Sequence, residues 1–158
     1  MTDELLVRKT ITVKASIADA FATFTEQIGR WWPLVTHHIG AAPAATAAIE
    51  PHAGGRWFER DANGVECNWG RVLVWEKPRR IVLAWEINAD FQPDATVQSE
   101  VEVLFTPQGP HSTRVDLEHR RLDAFGERAA AMKGMFENGW TVVLQQFTQF
   151  AEETTQKE

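Results

Sequence analysis

The chain has 158 residues, 44% hydrophobic and 24% charged, which is one domain's worth of globular composition rather than a disordered one. Its formal net charge of −6 comes without a basic block, so nothing suggests a nucleic-acid or anionic-membrane surface. A single cysteine, Cys67, cannot close an intramolecular disulfide; the acidic start lacks a signal-like apolar run, and no stretch nears the roughly 20 apolar residues of a membrane span. The expectation is a cytoplasmic single domain over 1–158, with 153–158 as a frayed tail.

In chain order, Leu5 to Lys14 alternates Val7, Lys9, Ile11 and Val13 against Arg8, Thr10 and Thr12, which predicts a strand. Ser16 suits an N-cap, with Asp19 in the first turn, and Ile17, Ala20, Phe21, Phe24 and Ile28 then make a short amphipathic helix ending near Gly29. Trp31-Trp32-Pro33 stops it. Residues 34–46 have no clear period and read as a loop before a short strand at Ile49. Further strands are predicted over Arg56–Arg60, Val65–Glu76, Arg80–Asn88, Val97–Thr106 and His111–Arg121. The turns between them fall at Asp61–Gly64, Lys77-Pro78, Asp90–Ala95 and Pro107–Pro110.

From Gly126 to Glu152, Ala129, Met132, Phe136, Trp140, Val143, Phe147 and Ala151 recur at steps of three and four, joined by Leu144 and Phe150. That is a long helix with a wide, aromatic apolar stripe. Gly134 and Gly139 interrupt it at about 1 kcal/mol each relative to alanine. They read either as tolerated glycines, or a break near 134, or, for Gly139 on the stripe's edge, as space for something else. Strands in hairpin succession followed by one long helix predict an α+β fold: a curved six- to seven-stranded antiparallel sheet wrapped around the C-terminal helix.

Recognisable catalytic and metal motifs are lacking. His37 and His38 are adjacent, which on extended backbone sends them to opposite sides, and His52, His111 and His119 stand alone. No CxxC, HExxH, calcium loop, GxSxG elbow or phosphate-binding glycine loop occurs, so neither a metal nor a cofactor is expected.

The pattern Pro51-x-x-Gly54-Gly55-Arg56-Trp57, then Trp69-Gly70-Arg71-Val72-Leu73-x-Trp75-Glu76-x-Pro78-x-Arg80, then Leu83-x-Trp85, with Gly139-Trp140-x-x-x-Leu144 on the last helix, resembles the START-like (SRPBCC) superfamily. The branch is the one homologous to the C-terminal domain of the activator of the ninety-kilodalton heat-shock chaperone's ATPase. The resemblance spans nearly the whole chain and implies a helix-grip fold, often with an apolar cavity between sheet and helix. Members of the superfamily bind lipids, hormones or polyketides, some catalyse cyclisation or ring hydroxylation, and the activators stimulate a chaperone.

Strand alternation then places Ile81, Leu83, Trp85 and Ile87 on one face, and likewise Val97, Ser99, Val101, Val103 and Phe105, and Val115, Leu117 and His119. Ser99 and His119 are thus polar groups expected to face the helix, where they need partners. The strand 65–76 mixes apolar and polar residues on both faces; Cys67 and Trp69 are expected inward, Arg71 must then reach a carboxylate or the sheet's open end, and a bulge would reverse the alternation midway. The expected cavity lining is Trp32, Phe58, Cys67, Trp69, Trp85, Ser99, His119, Met132, Met135, Phe136 and Trp140, concentrated on the helix between Met132 and Trp140. The expected function is binding of a small apolar or amphipathic ligand without catalysis. The alternatives are a chaperone-activating module that works through its outer surface, and a cyclase- or dehydratase-like enzyme, which would require His119 and an inward carboxylate such as Glu59 to converge. A monomer or homodimer is expected.

Overall fold

The computed structural model describes residues 5–156. Alternating side chains make β1 (Val7–Val13), with Val7 and Val13 buried and Arg8, Thr10 and Thr12 exposed. Ser16 Oγ accepts from the Asp19 amide at 3.1 Å and so caps α1 (Ile17–Glu26), an interaction worth about 1 kcal/mol. After one residue the chain resumes as α2 (Ile28–Trp31), stopped by Pro33. These helices carry the chain across to the opposite edge of the sheet. At Gly29 a Cβ would lie 2.1 Å from Thr46 Oγ1, so only glycine lets α2 rest on β2 (Ala44–Ile49).

From β2 the strands follow in hairpins: β3 (Arg56–Asp61), β4 (Glu66–Glu76), β5 (Arg80–Trp85), β6 (Ser99–Gly109) and β7 (Ser112–Arg120). All pairings are antiparallel, in one seven-stranded sheet ordered β1-β7-β6-β5-β4-β3-β2. A 3₁₀ segment (Leu122–Arg128) leads into α3 (Ala129–Gln156), around which the sheet curls. Met132, Phe136, Trp140, Val143, Leu144, Phe147 and Ala151 are buried as the periodicity predicts, and neither glycine breaks the helix. Phe147 packs edge-on against Phe24 and Trp31, at ring-centroid distances of 5.2 Å each, which locks α1 and α2 to α3.

Two irregularities in β4 resolve its mixed pattern. Cys67 pairs with Glu59, and Phe58 pairs with Asn68 while Trp57 pairs with Gly70, so Trp69 is an extra residue in a bulge. The phase flips there. Gly70 takes an inward position, where a Cβ would lie 1.7 Å from the Ala84 carbonyl oxygen, and Arg71 turns outward to the Glu86 carboxylate at 3.3 Å. A second shift between Val72 and Val74 restores the phase, and Trp75 packs against Phe21.

Several boundaries differ from expectation: β5 ends at Trp85 rather than Asn88, and β6 begins at Ser99 rather than Val97. Pro107 belongs to β6 and pairs with Thr113, rather than opening a turn. Regular β5–β6 pairing ends at Arg80–Leu104, so beyond that point β6 has a free side and loses nothing by a proline. At the C-terminus α3 continues to Gln156, so residues 153–156 of the expected frayed tail are helical, while 157–158 lie outside the described residues. No helix among the described residues is long and apolar enough to cross a membrane.

Candidate functional site

The stripe of α3 does not fill the curve of the sheet. A cavity of about 490 Å³ remains between Met135–Val143 on the helix, Trp69 on β4, Trp85 at the end of β5, Ile87 just beyond it, Trp32 after α2, and the segment Thr36–Ile39. Gly139 faces it, and a Cβ there would meet nothing within 4 Å. The missing side chain is part of the cavity's volume.

Four of the chain's seven tryptophans form the walls. Trp32 lies 5.0 Å from Trp69 and 5.9 Å from Trp140, and Trp85 lies 5.9 Å from Trp140 and 5.4 Å from Phe136. Each such pair contributes about 0.5–1.5 kcal/mol beyond the area it buries, which gives the cavity stiff, flat sides. The indole N–H groups of Trp57 and Trp85 are buried without a hydrogen-bond partner among the described residues, in an edge-to-face pair at 5.5 Å.

One wall is held by a carboxylate. Glu59 is buried on β3 and accepts three hydrogen bonds: from Trp69 Nε1 at 2.8 Å, the Ile39 amide at 2.6 Å and the Gly40 amide at 3.1 Å. It thereby joins the β4 wall to the otherwise irregular arm of residues 36–40. Trp32 Nε1 secures the same arm by donating to the His37 carbonyl at 2.9 Å. Thr36 Oγ1 lies 2.7 Å from His37 Nδ1, and burial pushes the His37 pKa down. His38 Nδ1 donates to the Gly40 carbonyl at 3.1 Å, which leaves its Nε2 the unprotonated nitrogen when the ring is neutral.

Behind Trp85, Phe136 and Trp140 lies a sealed polar chain. His119 Nε2 is 2.8 Å from Ser99 Oγ, and Trp140 Nε1 donates to His119 Nδ1 at 3.0 Å. The imidazole stacks on Phe136 at 4.3 Å, and complete burial lowers its pKa to about 3.

Of the residues expected to line a cavity, Trp32, Trp69, Trp85, Met135, Phe136 and Trp140 come together around this one, with Met135 half exposed at its mouth. Five do not. Phe58 sits on the outer face of β3, because Trp57 and Glu59 take the inward positions; its ring lies 4.0 Å beneath the Arg56 guanidinium, and Glu66 clasps both Arg56 and Arg60 over it. Cys67 points inward beside Glu59, one step beyond Trp69 towards the Asp61–Gly64 turn, and burial together with the Glu59 charge pushes its thiol pKa up. Ser99 and His119 satisfy each other behind the aromatic wall, and Met132 is plain core.

Several lining residues lie outside the expected set, Thr36, Ile39 and Val143 among them. His37 and His38 both border the cavity, because the arm that carries them is turned by its bonds to Glu59 rather than extended. Ile87 and Phe91 enter from the long β5–β6 connection. Glu59 and His119 are committed to separate partners, so no carboxylate–imidazole pair forms. Among the described residues no group of three or more His, Cys, Asp or Glu side chains could hold a metal ion.

Residues 14–152 match the family model of activator of Hsp90 ATPase homolog 1-like proteins. Among solved structures, an anthrahydroquino-γ-pyrone synthase, Txn09, is 34% identical with a TM-score of 0.63, the match covering 94% of this chain and 99% of that one. The self-sacrificing resistance protein CalC from Micromonospora echinospora is 32% identical with a TM-score of 0.69, over 94% of this chain and 95% of that one. Protein NE0264 from Nitrosomonas europaea, 14% identical with a TM-score of 0.69 over 98% and 99% of the two chains, shares the fold. A search of curated proteins finds no match.

Proposed function

The chain belongs to the family of activator of Hsp90 ATPase homolog 1-like proteins, and from that premise we propose that it binds a flat, aromatic small molecule in the cavity between sheet and helix. The observation that carries this reading is the cavity itself: about 490 Å³, walled by Trp32, Trp69, Trp85 and Trp140. Volumes of this order hold small organic ligands, and stiff aromatic walls favour a planar occupant over a flexible acyl chain. The Txn09 relative, by name a synthase of a polycyclic aromatic product, supports the same ligand class. A module that stimulated a chaperone through its outer surface alone would have no need of this void.

A second reading, catalysis on such a ligand, draws on the same relative. Among the described residues the titratable side chains lining the cavity are His37 and His38, so a proton-transfer step would fall to them. An acid–base pair of Glu59 and His119 is ruled out by their separate partners.

The test is a titration followed by tryptophan fluorescence, with a dihydroxyanthraquinone, a flavone and a straight-chain fatty acid in parallel. Saturable quenching by the planar compounds and none by the fatty acid is expected. Preference for the fatty acid, or no saturation with any, would overturn the reading; stimulation of a chaperone ATPase in that second case would favour the interaction module.

A further inference from the structure

The mouth of the cavity draws on more than one element. The arm contributes His37 and His38, and the β5–β6 connection and α3 contribute Phe91 and Met135, 36% and 49% exposed. Phe91 has φ of 58°, a left-handed conformation that costs an aromatic residue on the order of 1–3 kcal/mol and that glycine or asparagine adopts readily.

The turn that imposes this conformation is firmly built. Asn88 Oδ1 accepts from the amides of Asp90 at 2.9 Å and Gln92 at 3.1 Å, and the Phe91 amide donates to the Asn88 carbonyl at 3.0 Å. Arg128, just before α3, anchors the turn from outside, with Nη1 on Asp90 Oδ1 at 2.8 Å and Nη2 on the Ala89 carbonyl at 3.1 Å. None of the bonds that hold this backbone involves the phenyl ring, and although the ring at 36% exposure is still mostly buried, that gain is set against the strain of the left-handed backbone. What phenylalanine adds here is an aromatic face at the rim, fixed in place before any ligand arrives.

We infer that Phe91 is a ligand-binding residue, a preset aromatic gatepost that stacks on the occupant at the mouth of the cavity. This rests on the cavity being the binding site for a planar molecule. Because the turn is already ordered, stacking requires no loop closure, and little conformational entropy is lost on binding.

The experiment compares wild type, Phe91→Asn and Phe91→Tyr by dihydroxyanthraquinone titration and by thermal unfolding. Asparagine accepts the left-handed backbone, and the strain it relieves offsets the ring burial it gives up, so Phe91→Asn should unfold within a few degrees of wild type while binding about three- to tenfold more weakly, the range of one aromatic contact. Phe91→Tyr, which keeps the ring, should stay within about twofold of wild type. Unchanged affinity in Phe91→Asn overturns the inference, as does an affinity loss accompanied by a fall in unfolding temperature of more than about 8 °C, which would mark a merely structural role. Absence of saturable binding by wild type would instead overturn the reading of the cavity, and this inference with it.

Discussion

Trp140 donates its indole N–H to His119 Nδ1 at 3.0 Å, and because an indole can only donate, that nitrogen carries no proton. The neutral ring therefore holds its proton on Nε2 and donates to Ser99 Oγ. One aromatic side chain of the helix thus sets the tautomer of a histidine on the sheet.

This histidine should govern part of the acid sensitivity. Its folded pKa of about 3 lies below the ordinary value of 6.5, so unfolding takes up a proton between those values. Its contribution to stability is whole above about pH 6.5 and is lost as pH falls towards 3, by at most about 1.4 kcal/mol per pH unit. Urea unfolding of wild type and His119→Gln at pH 7, 6 and 5 checks it. Glutamine can accept from Trp140 and donate to Ser99 but cannot titrate, so the variant should lose about 1–3 kcal/mol at pH 7. That gap should narrow at pH 5, since the carboxylates titrate alike in both proteins. A constant gap would count against it.

Gly139 offers a way to close the cavity without harming the fold. A side chain there meets open space, and replacing a helical glycine gains about 1 kcal/mol. Gly139→Leu should keep or raise the unfolding temperature while weakening dihydroxyanthraquinone binding by more than about tenfold, from loss of volume and shape. Undiminished binding would place the ligand elsewhere.

Glu59→Gln should loosen the arm. With one oxygen and one NH₂ in place of two oxygens, the side chain cannot accept from Trp69, Ile39 and Gly40 together, and an unsatisfied buried donor costs about 1–3 kcal/mol. Hydrogen exchange at the Ile39 and Gly40 amides should speed up more than at the paired amides of β6 and β7. Equal protection in variant and wild type would show that the arm holds by other means.

Much of the frame was legible before any coordinates. The three- and four-residue steps from Ala129 to Ala151 placed the helix face, and two-residue alternation placed Val101, Leu117, Ser99 and His119 inward, because both periods follow from local backbone geometry. Alternation failed where a residue was inserted: the bulge at Trp69 hands Gly70 the inward position and releases Arg71 to Glu86. Apolar character misled at Phe58, whose ring suggested the interior, although alternation with the inward Trp57 and Glu59 sends it to the outer face.

By itself, then, the sequence determined the class of fold, the order of its elements, the face each presents and the resemblance to a family, all of which arise from short-range periodicity and turn chemistry. Which tryptophans wall a cavity, that two adjacent histidines turn towards it, and that His119 stands behind the wall were decided only by tertiary structure. Those outcomes depend on contacts across long stretches of chain, such as Glu59 with Ile39 and Trp140 with His119. No local period encodes such pairings; they appear when the sheet curls around the helix and each buried polar group finds its partner.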